Sequence, residues 1–205
     1  MYLSKLQLNR HSTQVQADLS NTYGLFETLC CALEEPSQTP PHFLWRLEHT
    51  FEILTVLVQS QMLPDWTRLE ARFPDYLQAI ETQKIAFEAL QDSQVLEFRL
   101  RANLAHICQR NSGTEESQTL TSEDDQMEWL ECKGLYGGFE PLEFQILQSE
   151  TVLLEDYLQG AAPILLQAVL FAGRLEITCL ESFVWTLERG LGQARALGFG
   201  LVSLR

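Results

Sequence analysis

Histidine is the side chain best suited to proton transfer near neutral pH, because imidazole gains and loses its charge there. The chain has four, at His11, His42, His49 and His106. His106 closely follows a segment with two arginines, so it is the first candidate for a general acid or base. For each of the four, an ordinary surface or capping role is the competing interpretation.

The segment EFRLRAN, residues 97–103, places Arg99, Arg101 and Asn103 at alternate positions. Successive side chains of a strand point to opposite faces, so these three should project from one face. Such a face could contact a phosphate backbone. It could equally well pair its guanidinium groups with the acidic side chains that are abundant in this chain, and the sequence leaves both interpretations open.

A glycine-rich segment, GLGQARALGFGL, lies near the end of the chain. Its glycines permit tight turns and close approach of main-chain amides to a ligand, and Arg195 adds a positive charge. The alternative is that the glycines only let a helix and a sheet pack closely. This loop is predicted to follow a helix and precede a strand. A dinucleotide-binding loop follows a strand and precedes a helix, so that role is disfavoured. The candidate binding residues here are Gly192, Arg195, Gly198 and Gly200.

The charge of the chain disfavours nucleic acid. Fourteen basic against 28 acidic residues give a net charge of −14, and most of the acidic excess lies between residues 110 and 160. Phosphate backbones are repelled by such a surface, and nucleic-acid-binding domains usually carry the opposite sign. A basic partner is the better match.

Composition narrows the class of protein further. With 205 residues and 45% apolar content, the chain can form one or two domains. Five cysteines without C-x-x-C spacing favour buried thiols in a reducing compartment over disulfides or a zinc site. No apolar run approaches the roughly 20 residues that cross a bilayer. We therefore expect a cytoplasmic protein without membrane contact, metal or cofactor.

The apolar pattern of the first half predicts the order β-α-β-β-α-β. A helix start at Pro64-Asp65-Trp66 supplies its second helix. The predicted strands are residues 1–8, 43–48, 53–59 and 85–87, and the first helix spans residues 17–33.

The second half repeats this order, and its polar segment over residues 111–122 is predicted to be a mobile loop. A helix starts near Ser122 and stops at Gly134 or Gly137-Gly138, and Gly173 suggests a tight turn between strands. The chain is thus predicted to be α+β, with tandem ferredoxin-like (RRM-like) domains at residues 1–92 and 93–205. The other predicted elements are strands within 97–103, 139–154, 165–177 and 199–204, and a helix over 181–191.

Several strings, in order and spacing, resemble the CasE family of CRISPR-repeat endoribonucleases from type I-E systems, within the RAMP superfamily. They include MYLSKLQLNR, ADLSNTYGLFETL, FLWRLE, EFRLRAN, DQMEWL, LLQAVLFAGRLEI and RGLGQARALGFGLVSL. The resemblance covers nearly the whole chain and implies the same tandem fold. It also implies binding to the stem-loop of a CRISPR repeat, metal-independent cleavage on its 3′ side, and retention with the guide RNA in a surveillance complex.

The resemblance further implies a catalytic tyrosine with a histidine three residues later on the first helix. This chain keeps Tyr23 but has Phe26 at the histidine position. A phenyl ring cannot accept or donate the proton, so about 100- to 10,000-fold in rate should be lost. His106 is a weak substitute. The family usually continues EFRLRAN with proline and then a basic residue, where this chain has Leu104 and His106.

These departures lead to a functional hypothesis. The chain is interpreted as a CasE-like CRISPR-associated protein without nuclease activity, acting as an interaction, regulatory or structural subunit of a CRISPR or related defence complex. Its partner would be a protein, either a complex subunit or a basic nucleic-acid-binding protein. Two alternatives stay open: a repeat endoribonuclease using Tyr23 with His106, and a non-cleaving guide-RNA-binding subunit using Arg99, Arg101 and Arg195.

Overall fold

The structure is a computed structural model that describes residues 1–33, 42–49, 53–109, 115–154 and 163–205. It consists of two compact units. The first contains Met1–Phe87 and Arg195–Gly198, and the second contains Glu88–Ala194 and Phe199–Arg205. The chain thus divides between Phe87 and Glu88, where the sequence placed a boundary after residue 92. No helix among the described residues has the length and apolar content to span a membrane.

The first unit is a four-stranded antiparallel sheet with the strand order β2-β3-β1-β4. Its order along the chain is β-α-β-β-α-β, with the first helix in two parts. This is the predicted ferredoxin-like arrangement. The elements are β1 (Tyr2–Leu8), α1 (Thr13–Ser20), α2 (Thr22–Cys30), β2 (Phe43–His49), β3 (Leu54–Ser60), α3 (Trp66–Arg72) and β4 (Leu77–Lys84).

The core of the first unit lies between the sheet and its helices. Leu6 on β1 and Val56 on β3 are fully buried, because alternate residues of each strand face the same side. Leu29 on α2 and Leu69 on α3 cover them from the helical side. Asp65 caps α3 by accepting a hydrogen bond from the Thr67 backbone N–H, as expected from the Pro-Asp-Trp turn.

Two predictions for the first unit are wrong. The single helix over residues 17–33 is two helices, because Asn21 has an extended backbone and its side chain caps a new helix. The last strand is not residues 85–87 but β4, and Phe87 begins a short 3₁₀ turn. Most of β4 is exposed and polar, so it lacks the apolar pattern that marks a strand in sequence.

The second unit repeats the same sheet, with the strand order β10-β5-β9-β8, and a separate β6-β7 hairpin is inserted after β5. The described strands of the sheet are all antiparallel. Together the two sheets confirm the α+β, tandem ferredoxin-like fold. The elements are β5 (Val95–Asn103), β6 (Ala105–Gln109), β7 (Glu115–Thr119), α4 (Glu123–Gly137), β8 (Phe139–Leu154), β9 (Ile164–Ile177), α5 (Leu180–Arg189) and β10 (Val202–Leu204).

The second unit also departs from prediction at two places. Residues 115–119 of the predicted mobile loop form β7, which pairs with β6, and residues 110–114 lie outside the described residues. Gly173 is not in a turn but inside β9, where it pairs with Phe144 between two register shifts of β8. A Cβ there would collide with the carbonyl oxygen of Glu143 and with the Cα of Phe144, so glycine permits the close approach of two strands.

This close approach gives a stability prediction. Gly173→Ala should lower the free energy of unfolding of the second unit by about 1–3 kcal/mol, because backbone atoms of β8 must move to admit a methyl group. Urea denaturation followed by circular dichroism measures the change. Gly24→Ala is the matched control, since its Cβ would lie 3.6 Å from the nearest atom, an ordinary contact. Equal stability of the two variants would contradict the packing argument.

Candidate functional site

Tyr23 and Phe26 lie together at the start of α2. The helix begins after Asn21, whose side-chain oxygen accepts a hydrogen bond from the Tyr23 backbone N–H at 3.1 Å. Residues three apart lie on the same side of a helix. The two ring centroids are accordingly 5.8 Å apart. The structure therefore brings together the two residues that the sequence analysis singled out.

The ring of Phe26 belongs to the apolar packing of the first unit. It stacks on Phe43 of β2, with centroids 5.1 Å apart and ring planes 11° from parallel. It is partly buried and packs against the core residues of the unit. No polar atom of residue 26 is available for proton transfer, and the side chain has a structural role instead.

A buried polar cluster next to α2 was not predicted from the sequence. The Tyr76 hydroxyl donates to Asp18 Oδ2 at 2.6 Å, and Gln14 Nε2 donates to Asp18 Oδ1 at 2.8 Å. Asp18 is 3% exposed and Tyr76 is 0% exposed. Burial, together with the hydrogen bond to Asp18 and its charge, raises the pKa of Tyr76. The cluster joins α1 to the residue that precedes β4.

The same cluster approaches the helix that carries Tyr23. A Cβ at Gly24 would lie 3.6 Å from Asp18 Oδ1, so the carboxylate is close to the first turn of α2. The only signal in the sequence was an acidic residue one turn after Val15, on the helix face that turns out to be buried. We infer that the cluster stabilises the junction between α1 and α2.

The side chains of Arg99, Arg101 and Asn103 share one face of β5. The preceding Phe98 and the intervening Leu100 and Ala102 are buried in the core on the other face. The geometry thus has the alternation that the sequence indicated.

The side chains of Arg101 and Asn103 make contacts within the second unit. Arg101 forms an ion pair with Glu150 at 3.3 Å, and its guanidinium lies 5.0 Å from the centre of the Phe199 ring. Burial lowers the pKa of Arg101, and the nearby Glu150 opposes that effect. Asn103 Oδ1 accepts a hydrogen bond from the Gln167 backbone N–H at 3.0 Å. A role of either residue in binding RNA or a partner stays a prediction.

The glycine-rich ending is held close to neighbouring side chains. Gly192 and Gly198 have φ angles of 89° and 81°, which favour glycine. A Cβ at Gly198 would lie 3.0 Å from the ring of Trp45, and one at Gly192 would lie 3.4 Å from the ring of Trp129. These contacts agree with close packing, the alternative left open by the sequence, and a binding role of Gly192 and Gly198 stays a prediction.

The rest of that segment is fixed by backbone hydrogen bonds. Gly200, with a φ of 89°, donates from its N–H to the Arg101 carbonyl at 2.8 Å and accepts from the Leu191 N–H at 2.9 Å. Arg195 is half-buried in a 3₁₀ turn, and its carbonyl accepts from the Gly198 N–H at 3.1 Å. These hydrogen bonds do not test a binding role of Gly200 or Arg195, which stays a prediction.

The histidines lie at different places in the two units. His106 is in β6, in register with Gln118 of β7. His11 and His42 are exposed, and His49 ends β2. Among the described residues, no group of three or more histidine, cysteine, aspartate or glutamate side chains is placed to hold a metal ion. Within the part of the chain that the structure describes, Cys30, Cys31, Cys132 and Cys179 form no disulfide bond.

The tandem ferredoxin-like fold is shared with structures of CRISPR-associated proteins. A family model described as "CRISPR associated protein" matches residues 1–205. The chain belongs to this family, which confirms the resemblance drawn from its sequence strings.

Within this family, the chain is similar to proteins named Cse3, CasE and Cas6e. The chain is 36% identical, over 100% of its length and 99% of the relative, to the CRISPR-associated endoribonuclease Cse3 of Thermus thermophilus. It is 28% identical to the CRISPR system Cascade subunit CasE of Escherichia coli, over 100% and 98% of the two chains. A structure of Cse3 bound to 19-nucleotide RNA superposes with a TM-score of 0.87 at 35% identity, with 100% of both chains covered. Cas6e of Escherichia coli gives 0.70 at 26% identity, covering 100% of this chain and 98% of the other.

Proposed function

We propose that this chain is a cytoplasmic, non-cleaving subunit of a CRISPR complex and that its principal contacts are with protein. The observation that carries the proposal is Phe26. It occupies the position at which the family resemblance implies a catalytic histidine, and its ring is stacked on Phe43 within the apolar packing.

Metal-independent cleavage of RNA needs two proton transfers. One group must remove the proton of the ribose 2′-hydroxyl, and another must protonate the 5′ leaving oxygen. Tyr23 provides one hydroxyl, and residue 26, where the resemblance implies the second group, is a phenylalanine whose ring centroid lies 5.8 Å from that of Tyr23. The Tyr23–Phe26 pair therefore has one proton-transfer group where the reaction requires two.

The charges of the chain support a protein partner of basic character. The net charge is −14, so the counterion release that favours RNA binding is opposed by repulsion. Arg101, which could have contacted phosphate, is already paired with Glu150. A basic protein surface gains from the same acidic field through fast, salt-dependent association.

Guide-RNA binding or processing is the second candidate function. It is favoured by the Cse3 relative that was solved bound to RNA and by the relative named as a Cascade subunit. In that case Arg99, Arg101 and Arg195 would contact the repeat stem, and His106 would be the substitute for the missing histidine.

The proposal is tested by purifying the tagged chain from its native host and quantifying both protein and RNA. We expect defined protein partners in stoichiometric amount, and we expect them to stay bound after guide RNA is removed with ribonuclease, because the principal contacts are with protein. Guide RNA in stoichiometric amount without a protein partner would favour the second candidate. The double variant Arg99→Ala, Arg195→Ala then provides the control, because it should reduce RNA and leave the protein partners unchanged.

A further inference from the structure

Helix α4 presents large apolar side chains to solvent. Ser122 caps it through the Asp125 backbone N–H, and the acidic residues of its first turn suit the positive end of the helix dipole. Its inner face is buried through Trp129 and Leu130. At its C-terminal end, however, Leu135 is 78% exposed and the adjacent Tyr136 is 84% exposed.

Two grooves flank this end of the helix, and Cys132 lines both. One, of about 680 Å³, lies between α4 and the start of β8 and is lined by Leu135 and Pro141 with the carboxylates of Glu131 and Glu140. The other, of about 270 Å³, includes Trp129 and Tyr136 with the carboxylates of Asp125 and Glu128. We call the exposed residues of α4 and these two grooves the α4 surface.

The apolar and acidic side chains that line these grooves indicate that the α4 surface binds another molecule. Exposed apolar side chains grouped around a groove, with a polar rim, are typical of interaction sites. The carboxylates of Glu131 and Glu140 beside the larger groove lack a lysine or arginine among the residues that line it. In the smaller groove, Lys133 is the basic residue, and its ammonium lies 5.8 Å from the centre of the Trp129 ring.

We infer that the α4 surface docks a basic segment of a protein partner. One apolar side chain of that segment enters the larger groove beside Leu135 and Pro141, and neighbouring lysines or arginines reach Glu131 and Glu140. RNA is disfavoured because its phosphates would meet those carboxylates. A second copy of this chain is disfavoured because a two-fold contact would bring the same acidic patch against itself. The inference rests on the proposed protein partner.

The test places a photoreactive residue, p-benzoylphenylalanine, at position 136 of the full chain in its native host. After irradiation, mass spectrometry identifies the cross-linked peptide. We expect a peptide of another protein that is rich in lysine and arginine and contains a large apolar residue. The same probe at Leu63, which is 63% exposed in the first unit, is the control and should not capture that peptide.

A second variant measures the apolar contribution. Leu135→Ala in the probe-bearing chain should reduce the yield of the cross-linked peptide about tenfold, because one leucine contact is lost. Alanine favours helix, so the circular dichroism spectrum should not change. Glu131→Lys should reduce the yield as well, whereas Glu70→Lys on the exposed face of α3 should not.

The other outcomes overturn the inference in distinguishable ways. A cross-link to RNA, to a second copy of this chain, or to an acidic peptide would exclude a basic protein segment at the α4 surface. A protein partner that is recovered in full with the Leu135→Ala, Glu131→Lys double variant would refute this surface but leave the proposed function standing. If no protein partner is purified with the unmodified chain, the proposed function itself is refuted.

Discussion

This chain should leave CRISPR-repeat RNA intact on the time scale at which the Thermus thermophilus Cse3 endoribonuclease cuts it. We expect its single-turnover rate constant to be about 100- to 10,000-fold lower than that of Cse3. The expected loss follows from Phe26, whose ring cannot transfer a proton and is stacked on Phe43. A gel assay with the repeat nearest to the gene, under saturating protein, measures the rate constant without interference from weak binding. Cleavage by the unmodified chain at a rate close to that of Cse3 would refute the proposed function.

Variants at position 26 separate chemistry from RNA binding. Phe26→His restores the missing imidazole, and Phe26→Leu is the matched control that changes the packing against Phe43 without adding a titratable group. At a protein concentration far below saturation, we expect neither variant to cut, because the acidic surface also opposes RNA binding. If Phe26→His cuts, RNA binding has survived and the charge argument is wrong. His106→Ala tests the remaining substitute and should have no effect.

The strands with an apolar pattern could be predicted from the sequence. In β2 and β3, buried side chains are frequent enough to mark each strand, and in β5 the arginines alternate with Phe98 and Leu100. The turn at Asp65 and the cap at Ser122 were also recognised, since each depends on a few neighbouring residues. These are local signals, and they were sufficient for the fold.

Features that depend on distant contacts could not be predicted. β4 is a polar edge strand, and only its pairing with β1 defines it. The role of Gly173 depends on the close approach of Glu143 and Phe144 on the neighbouring strand β8. In the candidate site, the sequence could place Tyr23 and Phe26 on one helix face because three residues separate them. It could not choose a partner for Arg101, since Glu150 is one of many acidic residues and lies on another strand.

The buried hydrogen bond between Tyr76 and Asp18 predicts a large loss of folding stability when it is removed. Tyr76→Phe should lower the free energy of unfolding of the first unit by about 2–3 kcal/mol near neutral pH, because the buried Asp18 carboxylate loses a hydrogen bond of 2.6 Å. That change corresponds to about 30- to 150-fold in the folding equilibrium constant. Urea denaturation measures it, and Tyr136→Phe is the matched control, since its side chain is 84% exposed.

The same pair predicts how stability changes in alkaline solution. The pKa of Tyr76 is raised in the folded state, whereas an unfolded tyrosine titrates near about 10. Below that pH both states keep the phenolic proton, so the contribution of Tyr76 to stability is complete. Above it the unfolded state loses the proton first, and stability falls by up to about 1.4 kcal/mol per pH unit. The difference in stability between the unmodified chain and Tyr76→Phe should therefore shrink from about pH 10 upward. A difference that stays constant between pH 8 and about pH 11 would mean that the hydroxyl of Tyr76 ionises as readily in the folded chain as in the unfolded one.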